Sequence, residues 1–283
     1  MWMLLILLGV VLNQCEGVAV KEYAKRNGSG GMFFNGVICF FALIFFVVTD
    51  KGGFYFPHKL FYFGLVNCVC YAIGFYAMYM ALKLGSFANT KLVSSLTGAV
   101  TIAYGILVFD EPVGRFTYPA IALVFLSIFL MNYKNGEHCF NFKWLFWALM
   151  VVVSNAPIGI LKREQQILFD GKCDNEYMII TLVGASLFLF VTSAFRERKS
   201  IAVVLKKGIL YGALAGILNG AGNFLNLIIY SFVPLSLASP ISSASALVMS
   251  FLISSFIYKE KFSKRQIVAA AVGTLSVVLF KIS

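Results

Sequence analysis

Charge is scarce in this chain. Of 283 residues only 12 % are charged, 23 basic and 12 acidic, and histidine occurs twice, at His58 and His138. A soluble globular domain carries roughly 25 % charged residues, so a water-exposed fold is excluded for a sequence that is 60 % hydrophobic. Lipid is the solvent that such a composition requires. A membrane enzyme needs clustered acids, histidines or nucleophiles at the water interface, and both histidines are lone connector residues. No His-Glu-x-x-His, Asp-rich pair, Gly-x-Ser-x-Gly or Walker-type phosphate loop occurs. The sequence therefore predicts no enzyme, no cofactor and no metal.

Other absences narrow the class further. Six cysteines (Cys15, Cys39, Cys68, Cys70, Cys139 and Cys173) form no disulfide framework. Cys68 and Cys70 are two apart and point in different directions on a helix, so they read as buried thiols. The formal net charge is +11, but a nucleic-acid binder clusters its charge on one face of a soluble module. Here the basic residues sit in short gaps between apolar runs, where Lys and Arg set membrane topology. No nucleic-acid partner is expected. The stretch Met1–Gly17 has a signal peptide's apolar run but lacks a basic start and an Ala-x-Ala-like cleavage site. It is read as the first permanent helix.

What is present is a series of long apolar runs. A bilayer core of about 30 Å takes about 20 apolar residues per helix. Ten runs come close: Met3–Val20, Met32–Val48, Leu60–Leu82, Phe87–Phe109, Phe116–Met131, Trp144–Leu161, Tyr177–Ala194, Ile209–Val233, Leu235–Tyr258 and Ile267–Ile282. In lipid a backbone must satisfy its own hydrogen bonds, so the runs are predicted to be helices.

The chain also repeats itself. At an offset of 149 positions, the spacing of Glu111 and Glu260, Tyr62 meets Tyr211, Phe75 meets Phe224 and Ser94 meets Ser243. Leu126, Ser127 and Leu130 likewise meet Leu275, Ser276 and Leu279. Spans one and six align at an offset of 142, where Asn13 meets Asn155, Gly17 meets Gly159, Lys21 meets Arg163 and Glu22 meets Glu164. Five spans per half is an odd number, so the second half enters the membrane with opposite polarity. The expected fold is an all-α membrane protein of about ten transmembrane helices, built as two inverted five-helix repeats, 1–134 and 141–283. Inverted repeats of this kind mark secondary transporters, with the substrate site near the midplane.

The segment Pro234-Leu235-Ser236-Leu237-Ala238-Ser239-Pro240, the long apolar helix it opens, Glu260 and Gly273 together resemble the second repeat of EamA-type members of the drug/metabolite transporter superfamily. The first half keeps Glu111 in Asp110-Glu111-Pro112 but departs at two places, with Lys91 for the proline and Val124 for the glycine. The resemblance covers nearly the whole chain. It implies a proton-linked, gradient-linked or exchange-type carrier of metabolites or drugs, and it implies no particular substrate.

Several residues are candidates for the site. Glu16 stands near the middle of the first span, where a carboxylate costs roughly 2.5–3.5 kcal/mol on insertion scales and should face a cavity or a partner. A buried carboxyl group that exchanges its proton is a candidate for proton coupling, and small multidrug exporters are similar in placing an essential glutamate in their first helix. The second half has Ile158 at the matching place. The plainer alternative for Glu16 is a hydrogen bond to a neighbouring helix or a pairing with Lys91.

In the eighth span Asn219, Asn223, Asn226 and Tyr230 form one polar stripe, read as lining a wet cavity. Gly208, Gly212, Gly216 and Gly220 form a small-residue packing stripe. Ser239 and Ser243 share a face of the ninth span, and Ser94 and Lys91 belong to its counterpart, the fourth. The resemblance places both spans beside the central cavity. Lys91 either snorkels to the interface or faces the cavity, where it would be an anion contact. Asn13 and Asn155 are expected to face inward. Glu111 and Glu260 are expected to brace loops, and Asn27-Gly28-Ser29 matches a glycosylation acceptor.

Odd-numbered connectors hold 15 of the basic residues against 7 in the even connectors and tail. That bias puts both termini outside, whereas the resemblance implies termini inside. The expected partners are a small-molecule substrate and membrane lipid, with monomer and homodimer both open. The expected location is the plasma membrane, the inner membrane in a bacterium. A channel, a receptor and a membrane enzyme are the rival readings.

Overall fold

Long helices dominate the computed structural model, which describes residues 2–50, 53, 55–108, 115–132, 142–260 and 264–282. The first half contributes α1 (Trp2–Arg26), α2 (Gly31–Thr49), α3 (His58–Leu84), α4 (Phe87–Ser94), α5 (Leu96–Val108) and α6 (Thr117–Asn132). The second contributes α7 (Phe142–Phe169), α8 (Asp174–Arg196), α9 (Arg198–Val203), a π turn (Val204–Gly208), α10 (Ile209–Phe232), α11 (Leu235–Phe256) and α12 (Lys264–Ile282). Among the described residues six helical stretches are long and apolar enough to cross a membrane: α1, α2, α3, α7, α8 and the rod Arg198–Phe232. The chain is an all-α, multi-span integral membrane protein.

Two of the runs take a form the apolar pattern does not predict. The fourth is two helices rather than one, parting at Ser95. Ser94 Oγ donates to Lys91 O at 2.8 Å, and the turn is tightened by Gly98 N–H to Ser95 O at 3.0 Å. Hydroxyls that bond the local backbone compete with the helical ladder, and glycine resists it weakly. The stretch before the eighth run, read as a connector, is helical, so that α9, the π turn and α10 form one 35-residue rod.

The first two helices are joined by a tight reversal. Gly28 (φ +59°) and Gly30 (φ +71°) supply left-handed backbone that a residue with a Cβ adopts at a cost. The first N–H groups of α2 have no intrahelical acceptor. Glu197 Oε2 takes those of Met32 at 2.9 Å and Phe33 at 3.4 Å, so the end of α8 caps the start of α2.

Packing runs between the halves more than within them. α1 lies on α10 and α3 on α7; α10 also lies on α2, and α3 on α8. α2 pairs with α8, α6 with α12, and α4 and α5 with α11. The outer surface is apolar: Leu210 and Phe195 are 81 % and 80 % exposed, while Asn35, Asn67 and Gln165 are fully buried. That inversion suits a lipid exterior. Glycines allow the closest approach, since a Cβ on Gly216 would lie 2.5 Å from the Ile38 carbonyl oxygen.

Positions related by the 149-residue offset have like surroundings in α6 and α12. Ser127 and Ser276 are both buried, Leu126 and Leu275 are both exposed, and Leu130 and Leu279 pack against one core. Ser127 Oγ donates to Ala269 O at 2.6 Å and ties the two helices.

Candidate functional site

A cavity of about 320 Å³ lies among α1, α3, α4, α5, α7, α10 and α11. From the first half Asn13, Glu16, Lys91 and Ser94 line it; from the second, Asn155, Asn219, Asn223, Asn226 and Ser243. Nine of the ten sequence-predicted positions are therefore brought to one space. Ser239 belongs to α11, but its side chain lies outside the described residues, as does the whole of Glu111.

Each polar group is placed by its helix. Asn219 and Asn223 are one turn apart on α10, and a turn lets their amides couple. Asn223 Nδ2 donates to Asn219 Oδ1 at 2.8 Å and to Asn219 O at 2.9 Å. Asn219 Nδ2 donates onward to Glu16 Oε2 at 3.1 Å. Tyr71 OH donates to Asn223 Oδ1 at 2.9 Å, and Lys162 Nζ donates to the same oxygen. The Lys162 ammonium also lies 5.7 Å from the centre of the Tyr71 ring, a cation–π contact. The result is a continuous chain from Lys162 through two amides to Glu16.

Asn13 and Asn155 sit in matching notches. A Cβ on Gly222 of α10 would lie 2.7 Å from Asn13 Oδ1, and one on Gly74 of α3 would lie 3.0 Å from Asn155 Oδ1. Each asparagine thus occupies room that a glycine on the opposite half leaves open. Lys91 does not snorkel: it lines the cavity, with Nζ 5.7 Å from the centre of the Phe87 ring. It packs over Gly17, where a Cβ would meet Lys91 Cε at 2.8 Å and Nζ at 2.9 Å. Among the described residues the direct ion pairs are Lys21–Glu260 and Arg26–Glu22; Glu16 and Lys91 do not touch at salt-bridge distance, yet each is the charge that acts on the other across the cavity. Glu260, expected to brace a loop, pairs with Lys21.

The sequence reading missed Lys162, Tyr71 and Gln14. Lys162 follows the apolar run that ends at Leu161, so it looked like an interfacial charge. The structure carries α7 on to Phe169, past an interior Pro157. A signal was available: Lys162, Gln165 and Gln166 recur at i, i+3, i+4 with no glycine or proline between them, and all three are buried. Gln14, one residue from Asn13, turns to α11 and donates to Ala246 O at 2.8 Å.

Histidine, cysteine and carboxylate side chains do not cluster in threes among the described residues. What the arrangement offers is a partly open space of mixed apolar and polar lining with fixed donors and acceptors, suited to binding and orienting a small solute. A multi-span bundle with such a space among its helices is an architecture that membrane transporters use. The chain matches the family described as "EamA-like transporter family" over residues 1–133 and 142–282. It belongs to that family, whose members are transporters and not enzymes. No curated protein sequence matches. A solved structure described only as "Crystal structure of protein" superposes with a TM-score of 0.74, covering 99 % of this chain and 96 % of its own, at 12 % identity. That likeness establishes a shared fold and nothing about activity.

Proposed function

We propose that this membrane transporter is a secondary carrier that moves one small solute by alternating access. In this reading residues 1–134 and 141–283 are inverted five-helix repeats of a ten-span fold, and the central cavity is the substrate site. The observation that carries it is the shared construction of that cavity: Asn13, Glu16 and Lys91 come from one half, and Asn155, Lys162, Asn219 and Asn223 from the other. A space lined by both halves is reshaped whenever one half rocks against the other.

The packing pattern supports the same reading. Exchanging α1 with α7, α2 with α8, α3 with α10, α4 and α5 with α11, and α6 with α12 maps the principal helix contacts onto one another. The cavity volume of about 320 Å³ lies at the lower end of the range of small-molecule sites, about 300–1,000 Å³. Glu16 is the candidate for proton coupling. The protein acts as a monomer or homodimer in a plasma membrane, the inner membrane if the cell is bacterial.

The test is reconstitution. Purified protein in liposomes should give saturable, counterflow-competent flux of a small metabolite drawn from amino acids, organic acids, sugars, nucleotides and amines. Absence of flux from all of these, with folding verified by size exclusion and circular dichroism, would sink the carrier reading.

A further inference from the structure

We infer that one end of the bundle docks anionic phospholipid, whose phosphate headgroups seat on a basic rim around α9 and the π turn. Several helix ends assemble this rim. The reversal between α1 and α2 lies against α9, since a Cβ on Gly30 would meet Val204 Cγ2 at 2.6 Å and Ser200 Cβ at 3.2 Å. Lys83 at the end of α3 donates to Gly28 O, and Glu197 at the end of α8 caps α2. The last turns of α1, α3 and α8 therefore gather beside α9.

The charge at this end is one-sided. Lys25, Arg196, Lys199, Lys206 and Lys207 are exposed, and among the described residues none of the five has a hydrogen bond or an ion pair. Three carboxylates stand near them, and each is engaged. Glu22 pairs with Arg26 and Glu260 with Lys21, while Glu197 accepts the N–H groups of Met32 and Phe33. Setting the Glu197 charge against one of the five still leaves four cations unmatched. The far end of α8 is of opposite character, with Asp174 and Glu176 in its first turn.

Depth and shape select a lipid over a free phosphate. The 24 residues of α10 rise about 1.5 Å each, or about 36 Å, which already crosses a hydrocarbon core of about 30 Å. The preceding segment Arg198–Gly208 therefore stands outside the core, at the level of the headgroups. Ser200 and Val204, one turn apart, face Gly30 and the bundle, so Lys199, Lys206 and Lys207 are left to the outside. Phe195 and Leu210 flank them and are exposed apolar side chains. A molecule with an anionic head and acyl tails meets both kinds of surface, whereas a soluble anion meets one. Clusters of four or more Lys and Arg at a membrane boundary attract anionic headgroups in this way. None of the five cations lines the central cavity, so the inference stands apart from the carrier reading.

The experiment follows thermal unfolding of the purified full-length protein in neutral detergent during titration with three probes: phosphatidylglycerol, phosphatidylcholine and glycerol 3-phosphate. Phosphatidylglycerol should raise the midpoint by mass action, phosphatidylcholine should do so much less, and glycerol 3-phosphate should leave it unchanged. The combined variant Arg196→Gln, Lys199→Gln, Lys206→Gln, Lys207→Gln removes four charges that hold nothing else in place. Its apparent affinity for phosphatidylglycerol should fall about tenfold or more, since one basic residue near an anionic surface is worth about fivefold. The variant Lys59→Gln, Lys172→Gln changes two exposed lysines at the opposite end and should bind as wild type does. Equal stabilisation by the two lipids, a phosphatidylglycerol effect untouched in the fourfold variant, or an equal loss in the twofold variant each overturns the inference. Stabilisation by glycerol 3-phosphate matching that by phosphatidylglycerol also overturns it, in favour of a soluble-anion site. If the fourfold variant fails to fold, wild type decides: the advantage of phosphatidylglycerol should vanish in about 0.5 M salt, and its persistence there overturns the inference.

Discussion

Lys21 and Glu260 join the first helix to the segment that follows α11, Nζ lying 3.3 Å from Oε1. The ammonium also stands 4.3 Å from the centre of the Tyr258 ring and 5.8 Å from that of Phe87, with the lysine side chain 11 % exposed and the glutamate 24 %. Val20, the preceding residue, lines the cavity, so this clasp stands next to the site. Lys21→Glu should lower the thermal midpoint by placing two carboxylates together, and adding Glu260→Lys should restore part of it. A double-mutant cycle should give a coupling of about 1 kcal/mol that shrinks with added salt. Strictly additive effects at low salt would mean that the aromatic contacts, and not the ion pair, hold Lys21 in place.

The amide chain makes a second prediction. Asn223 Oδ1 serves both Tyr71 and Lys162, so Asn223→Ala strands two buried donors at once. The loss should be about 1.5–3 kcal/mol, the usual worth of hydrogen bonds to a charged group. Lys162→Met removes the charge along with its need for a partner and should cost less. Combining the two should fall short of their sum, because the share of the first deficit that belongs to the ammonium disappears with it while the Tyr71 share remains. Thermal unfolding of the four proteins in one detergent reads this directly; full additivity would deny that Lys162 leans on Asn223.

A third concerns the closeness of α10 and α2. A Cβ on Gly216 would sit 2.5 Å from Ile38 O and 2.7 Å from Phe41 Cβ, a backbone atom and a carbon one bond from it. Neither yields without shifting a helix. Gly216→Ala should destabilise by about 1–3 kcal/mol as an overpacking change. Gly9→Ala, whose new atom would find nothing nearer than 3.7 Å, should be tolerated. Equal midpoints for the two variants would show that α10 can slide on α2.

The long helices were legible because lipid selects on length and polarity together. α1, α2, α3, α7, α8 and α10 all overlap apolar runs of about membrane-spanning length. The asparagine stripe of α10 was legible for a related reason, since amides at helical spacing must share a face. The parting of α4 from α5 was not, because serine and threonine satisfy a helix or interrupt it with equal ease. Lys162 was hidden by its place after an apolar run, where a lysine ordinarily reaches for the interface. The bond from Asn219 to Glu16 was beyond reach altogether, since it joins helices from opposite halves, and their packing is a property of the assembled bundle.

Glu16 carries the last prediction. Glu16→Gln keeps an oxygen in position to accept from Asn219 Nδ2, so the hydrogen bond seen at 3.1 Å survives while the titratable group is lost. If Glu16 couples transport to protons, flux in proteoliposomes should lose its dependence on pH between about 5.5 and 8.5 and on an imposed proton gradient, with folding unchanged. An unaltered pH profile would leave Glu16 as the acceptor that holds Asn219 in place and move the coupling elsewhere.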